Sequence, residues 1–176
     1  MQKKNILAIS GSTKANSTNE IILRTMAKLY GESLSFQIYT KISELPHFNP
    51  DLDTDEPPAT VKNFRQLIEN ADGVLISTPE YVFSLPGALK NALEWTVSTV
   101  VFSDKPTAFI IAATSGDKAF ESLELILKTI GAKVGENSTL LIKAAKGKLN
   151  SDGEIIDQTI LREIDILMKD FIETIE

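Results

Sequence analysis

The sequence predicts an α/β protein with five parallel strands in a doubly wound sheet and helices on both of its faces. Short apolar segments alternate along the chain with longer segments of helical periodicity, the pattern of repeated strand-helix-strand units. Three of the apolar segments, residues 6–9, 73–78 and 106–113, run into small hydroxyl-bearing residues. Because parallel strands present their carboxyl ends at one edge of a sheet, we expect these three polar loops to converge on a ligand.

The first half of the chain alternates two strands with two helices. Residues 6–9 are uniformly apolar, as a strand covered on both faces requires, whereas residues 34–39 alternate and predict a strand nearer the sheet edge. Residues 40–58 are rich in proline and acidic side chains and predict a long surface loop. Apolar spacing predicts one helix from about residue 17 and another from Pro57 or Pro58 to about Asn70.

The second half of the chain continues the alternation. Residues 73–78 and 106–113 predict the third and fourth strands, and residues 119–129 predict a helix that stops at Gly131. Residues 140–143 predict a short last strand. Residues 155–175 predict a closing helix with an apolar face made of Ile156, Ile160, Ile164, Leu167, Phe171 and Ile175.

Composition limits the class of protein. The chain has 176 residues, 43% of them hydrophobic, and this length and composition predict one domain spanning residues 1–176. A net charge of −6 without a basic stripe argues against nucleic acid or an anionic membrane as partner. With no cysteine and one histidine, we expect no disulfide, no thiolate catalysis and no metal site, so any redox chemistry requires a bound cofactor. No apolar run approaches the ~18 residues of a membrane span, and we expect a cytoplasmic protein.

The segment after the first strand, residues 10–19, combines a turn with a crowd of hydrogen-bond donors. Gly11 permits a tight turn, and the helix that follows presents free N–H groups and the positive end of its dipole to an anion. The spacing fits neither a nucleoside triphosphate loop nor a dinucleotide loop, which favours a mononucleotide such as a flavin phosphate. The alternative is a ligand-free corner in which Ser17 or Thr18 only caps the helix. The candidate phosphate ligands are Ser10, Ser12, Lys14, Ser17, Thr18 and Asn19.

Residues 78–96 form a second unusual segment. Pro79, Pro86 and Gly87 hold an irregular loop that contains Tyr81 and Phe83, and a helix begins at Pro86-Gly87. A flat ligand could lie against such a loop and bind its backbone. The alternative is a rigid connector whose aromatic side chains complete the core.

Together the two segments resemble the NAD(P)H-dependent FMN reductase family, flavodoxin-like flavoproteins that include quinone, azo-dye and chromate reductases. In that family a G-S-x-R-x-x-S-x-N loop cradles the FMN phosphate, and residues 11–19 read G-S-T-K-A-N-S-T-N. The family's P-E-Y-N-x-S-x-P-G-x-L-K-N-A-x-D-W segment holds the isoalloxazine ring, and residues 79–95 read P-E-Y-V-F-S-L-P-G-A-L-K-N-A-L-E-W. The resemblance covers nearly the whole chain and implies the strand order 2-1-3-4-5.

The resemblance also implies further flavin contacts. They are Pro79, Glu80, Tyr81, Val82, Phe83 and Ser84 in the ring loop, and Thr114, Ser115 and Gly116 after the fourth strand. The chain departs from the family at three places. Lys14 replaces the common arginine and loses its bidentate fork, Val82 replaces the usual asparagine, and residues 114–118 lack the extra glycines often found there.

The implied activity is electron transfer from NADH or NADPH through bound FMN to a small acceptor such as a quinone, azo compound, free flavin or metal oxyanion. Because the flavin supplies the chemistry, we expect no catalytic side chain. One alternative is a flavodoxin-type electron carrier without reductase activity, although residues 11–19 differ from the T-x-T-G-N-T loop of flavodoxins. Another is a family member that has become a scaffold.

The resemblance further implies a homodimer or homotetramer. An apolar cluster that follows the ring segment agrees with a subunit contact. Its members are Val97, Val100, Val101 and Phe102. We assign Lys90, Asn91 and Trp95 to helix packing or a subunit contact, because they lie more than a turn beyond the ring loop.

Overall fold

Five parallel strands form one sheet in the computed structural model, which describes residues 3–150 and 154–176. The strands are β1 (Lys4–Ser10), β2 (Leu34–Tyr39), β3 (Gly73–Thr78), β4 (Pro106–Ala112) and β5 (Lys133–Ile142). The helices are α1 (Thr18–Tyr30), α2 (Ala59–Asn70), α3 (Gly87–Glu94), α4 (Asp117–Thr129) and α5 (Gln158–Ile175). The sheet order is β2-β1-β3-β4-β5 and every pairing is parallel, which confirms the predicted fold.

Two hydrophobic cores lie on opposite faces of the sheet. Successive residues of the buried strands alternate between them: Ile6 and Ala8 pack against α1 and α5, whereas Leu7 and Ile9 pack against α2, α3 and α4. An uninterrupted apolar strand therefore serves two cores, as a strand covered on both faces must. β2 lies at the sheet edge and is less buried than β1, as its alternating sequence predicts.

The carboxyl ends of β1, β3 and β4 are adjacent, so the loops after them meet at one edge of the sheet. We call these the first site loop (residues 10–17), the second site loop (residues 79–86) and the third site loop (residues 113–116). The first site loop is joined to the end of β3 where the Gly11 N–H donates to the Ser77 carbonyl at 2.8 Å. A Cβ on Gly11 would lie 2.2 Å from Thr78 Oγ1 and 2.4 Å from Thr78 Cβ. Gly11 is therefore needed for close approach of two strand ends.

The predicted last strand is too short. β5 starts at Lys133 instead of residue 140, and its register with β4 shifts between Thr107 and Phe109. The extra residues on β5 form a polar bulge whose Asn137 N–H and Ser138 hydroxyl donate to the Asp170 carboxylate of α5. The first residues of β5 lack the apolar pattern of a strand, because a helix that is distant in the sequence satisfies their polar groups.

The closing helix is shorter than predicted. Asp157 caps α5 by accepting hydrogen bonds from the N–H groups of Thr159 and Ile160, so the helix begins at Gln158. Ile156 precedes the helix and is exposed, which contradicts its assignment to the apolar face. α4 instead begins two residues earlier than residue 119, at Asp117. Residues 151–153 lie outside the described part of the chain.

The long loop of residues 40–58 is more ordered than predicted. It contains two short 3₁₀ helices, and α3 fastens it through the Pro46 carbonyl, which accepts from Asn91 Nδ2 at 2.9 Å and Trp95 Nε1 at 2.7 Å. Asn91 Oδ1 also accepts from the Phe48 N–H. Asn91 and Trp95 are thus packing residues within the chain, whereas Lys90 is exposed and pairs with Glu94.

The apolar cluster after α3 is only partly at the surface. Val97 and Val100 are exposed, but Phe102 is buried in the core shared by α2, α3 and α4. The expectation that all four residues face a partner is therefore wrong for Phe102. Among residues 3–150 and 154–176, no helix combines the length and apolarity needed to cross a bilayer.

Candidate functional site

A pocket of about 450 Å³ opens where the three site loops meet. This volume lies in the range of cofactor sites. Its lining includes nine of the predicted ligand residues: Ser12, Lys14, Ser17, Thr18, Asn19, Pro79, Glu80, Tyr81 and Thr114. It also includes residues that were not predicted, namely Ala112, Ala113, Ala144, Ala145 and Lys146.

The first turn of α1 leaves backbone donors free at the pocket. The Ser17 hydroxyl accepts from the Glu20 N–H at 3.2 Å, so Ser17 does cap the helix. Within the described residues, however, the N–H groups of Thr18 and Asn19 have no hydrogen-bond partner. Both residues line the pocket, so the helix presents free donors and its positive dipole end there. The same corner therefore caps the helix and leaves two backbone donors unpartnered at the pocket.

The side chains of Ser10 and Asn19, which were predicted to bind phosphate, donate hydrogen bonds inside the chain. The Ser10 hydroxyl is fully buried, donates to the Ser12 carbonyl at 3.2 Å and does not belong to the pocket lining. Asn19 Nδ2 donates to the Ala112 carbonyl, and Asn19 Oδ1 accepts from the Ser77 hydroxyl. The Asn19 side chain therefore joins α1 to β3 and β4. Ser10 and Asn19 shape the site by holding its walls.

The second site loop ends in a tight turn with an unusual backbone. Tyr81 and Ser84 exchange two backbone hydrogen bonds of 2.9 and 3.1 Å around Val82 and Phe83. Val82 and Phe83 have φ values of 51° and 55°, in the left-handed region that favours glycine and asparagine. Their exposed fractions are 96% and 77%, and that of Tyr81 is 52%. The side chains of Tyr81 and Phe83 therefore do not complete the core, and the alternative of a rigid connector with core aromatic residues is wrong.

Glu80 connects the second site loop to the third. Its carboxylate accepts from the backbone N–H groups of Gly116 at 3.2 Å, Lys118 at 3.0 Å and Ala119 at 3.0 Å. Gly116 has φ 103° and no side chain with which to cap α4, so Glu80 provides the missing acceptor from another loop. The Gly116 N–H is consequently occupied within the chain.

Gly87 is the first residue of α3 and directly follows the second site loop. A Cβ built on this first residue of α3 meets no atom within 4 Å, and Gly87 is not among the residues with positive φ. Gly87→Ala would neither clash within the chain nor strain the backbone. Neither close approach nor a positive φ therefore requires a glycine at position 87.

The remaining predicted ligands lie around the pocket and not in its lining. Val82, Phe83 and Ser84 project at the tip of the second site loop, and Ser115 and Gly116 lie at the start of α4. Ser115 donates to Asp117, which also pairs with Lys143 at 2.7 Å. The Lys143 ammonium and the Ser115 hydroxyl hold the pKa of the Asp117 carboxyl below its usual value.

The donor set fits FMN. A dianionic phosphate matches the free N–H groups of α1, the hydroxyls of Ser12 and Thr18 and the charge of Lys14. Buried Pro79 and half-exposed Tyr81 form an apolar wall beyond those donors. An anionic end and a flat ring therefore have matching surfaces in one pocket.

Comparison with known proteins identifies the family. The family model described as NADPH-dependent FMN reductase matches residues 4–147. The chain is 32% identical to a Vibrio ruber protein named NADH:(hydroxy)cinnamate reductase subunit CrdA, with 96% of this chain and 85% of that protein covered. It is 31% identical to the quinone reductase of Escherichia coli K12, with 91% and 89% covered.

A solved structure agrees with these matches. The flavoenzyme NAD(P)H:(acceptor) oxidoreductase FerB from Paracoccus denitrificans superposes with a TM-score of 0.81 at 27% identity, covering 98% of this chain and 97% of FerB. The reductase interpretation is confirmed over that of an electron carrier. The chain therefore belongs to the NADPH-dependent FMN reductase family of flavodoxin-like oxidoreductases, which use NAD(P)H and FMN.

Proposed function

We propose that FMN lies in the pocket with its phosphate at the first turn of α1 and its ring beside Pro79 and Tyr81. The observation that carries this proposal is the pair of unpartnered N–H groups of Thr18 and Asn19, which open into the same pocket as the second site loop. Lys14 adds a positive charge and Ser12 a hydroxyl. These groups would bind and orient the cofactor.

When bound, FMN supplies the redox chemistry by taking electrons from NAD(P)H and passing them to an acceptor. The role of the chain is to position the ring and to keep one side of it accessible. Glu80 fixes the second site loop against α4, and Tyr81 forms part of the open wall. In this proposal no side chain acts as acid, base or nucleophile.

We propose a small planar acceptor, with a quinone as the first candidate. Tyr81 and Phe83 present exposed aromatic surface beside the pocket, where a flat acceptor and the nicotinamide could stack in turn. The names of two relatives, a quinone reductase and a (hydroxy)cinnamate reductase subunit, support a conjugated substrate. Azo compounds, free flavin and metal oxyanions are the other classes to compare.

We also propose a homodimer or a pair of dimers in the cytoplasm. Exposed Val97 and Val100 supply apolar surface for a subunit contact. Sedimentation at micromolar concentration tests the assembly, because a lone 19.3 kDa species would contradict it. Cell fractionation tests the location.

Titration of the apoprotein with FMN and riboflavin, followed by fluorescence quenching, tests the proposed site. We expect FMN to bind much more tightly because riboflavin lacks the phosphate, whereas equal affinities would contradict the site. Anaerobic mixing of the holoprotein with NADPH or NADH should bleach the flavin rapidly. Turnover with a panel of quinones, azo dyes and free flavins then ranks the acceptors.

A further inference from the structure

The segment after β5, residues 143–148, carries three lysines and lines part of the pocket. Lys143, Lys146 and Lys148 lie within six residues, and the segment ends in a 3₁₀ helix, Ala145–Lys148. Its start is fixed against the third site loop, because the Ala144 N–H donates to the Thr114 carbonyl at 3.2 Å and the Ala145 N–H to the Ala113 carbonyl at 3.1 Å. The segment is thus a fourth wall of the site.

Two of the three lysines are committed to carboxylates. Lys143 pairs with Asp117, and Lys148 pairs with Asp157, the N-cap of α5. Lys148 lowers the pKa of the Asp157 carboxyl, so that pairing favours the charged state. Lys146 is exposed at the pocket and has no ion pair or hydrogen bond with any residue in 3–150 or 154–176. Its charge is available to a ligand.

A short series of contacts connects Lys146 to the phosphate end of the pocket. Asn19, in the first turn of α1, donates to the Ala112 carbonyl at 3.2 Å. The next residue of the chain, Ala113, accepts from Ala145, which precedes Lys146. Lys146 therefore lines the same pocket as Ser12, Ser17 and Thr18.

We infer that Lys146 binds the FMN phosphate as a second cation, together with Lys14. This inference rests on the proposed FMN site. A phosphate monoester carries about −1.5 to −2 charges at pH 7, so a single lysine cannot neutralise it. The chain has a net charge of −6, which makes a second local cation more valuable for holding an anion. Lys14 also lacks the bidentate fork of an arginine.

The test compares Lys146→Gln with Lys28→Gln in the apoprotein. Lys28 is also an exposed lysine, but it lies in the last turn of α1, so its variant changes the net charge equally at the far end of the helix. We expect Lys146→Gln to weaken FMN binding about 10-fold, to leave riboflavin binding unchanged and to reduce the salt dependence of FMN affinity. Lys28→Gln should bind both like the wild type, and Lys146→Arg should retain FMN.

The outcomes separate this inference from the proposed site. If the wild type binds FMN and riboflavin equally, the phosphate site itself is wrong. If the wild type prefers FMN but Lys146→Gln equals Lys28→Gln, only the role of Lys146 is overturned. The role is also overturned if Lys146→Gln raises KM for NADPH and not for NADH without changing FMN affinity, because the phosphate contacted is then the cosubstrate's. Thermal melting should show both variants folded like the wild type.

Discussion

The first and second site loops reach one pocket by different physical means. The turn of the first site loop into α1 is shaped by its own residues: Ser17 caps α1, and the one left-handed residue is Asn16, a type that tolerates that conformation. The second places Val82 and Phe83 in left-handed conformations and depends on a distant contact between Glu80 and α4. A locally specified loop can be predicted from its sequence, whereas a loop under strain requires support from the rest of the fold.

The largest expected effect is on the first loop, from Gly11→Ala. The new Cβ would approach buried Thr78 to 2.2 Å, and neither strand end can move freely. We expect the free energy of unfolding to fall by about 3 kcal/mol and FMN to be lost. Urea unfolding and flavin content measure both effects.

Gly87→Ala is the matched control, because no atom lies within 4 Å of the position that an alanine Cβ would take there. It should be neutral or slightly stabilising, since alanine favours a helix more than glycine does. Similar losses in the two variants would show that close approach at Gly11 is not what the site requires.

The second largest expected effect comes from removing the contact between Glu80 and α4, which supports the second site loop. Glu80→Gln removes a charged acceptor that three backbone N–H groups share. We expect the free energy of unfolding to fall by about 1–2 kcal/mol and FMN to bind more weakly. Hydrogen exchange at the amides of residues 116, 118 and 119 should accelerate. Glu121→Gln, on the surface of α4, should change stability little, because its partner Lys118 is exposed. Unchanged exchange in Glu80→Gln would mean that α4 does not depend on the second loop.

Tyr81→Ala tests whether the second loop serves the ligand or the core. Because Tyr81 is half exposed, we expect nearly unchanged melting temperature and retained FMN, with acceptor kcat/KM altered about 3- to 10-fold through lost stacking. Tyr81→Phe keeps the ring and should behave like the wild type. A large drop in melting temperature together with loss of FMN would instead identify Tyr81 as a structural residue.

The same contrast explains which features could be predicted from the sequence. The strands and the first site loop follow from apolar periodicity and a local helix start, both of which depend on contiguous residues. The strand order pairs distant segments, and it was the resemblance to a known family that implied it. The bulge of β5 is stabilised by Asp170, and the start of α4 by Glu80, each far away in the chain. Lys146 was missed for the same reason, although three lysines after an apolar strand were a visible signal.

The smallest expected effect is a gain, from Val82→Asn. Val82 is almost fully exposed, so little packing is lost, and asparagine is far more tolerant of φ near 51° than a β-branched residue. We expect stabilisation of about 1 kcal/mol, or about 2–4 °C in Tm for a chain of this size. Val100→Asn makes the same change at an exposed residue without positive φ and should not stabilise. If Val82→Asn stabilises the protein and slows turnover with quinones, the backbone strain at Val82 contributes to acceptor use. If Tm does not rise, the turn is not strained in solution, and the two site loops do not differ in strain at this residue.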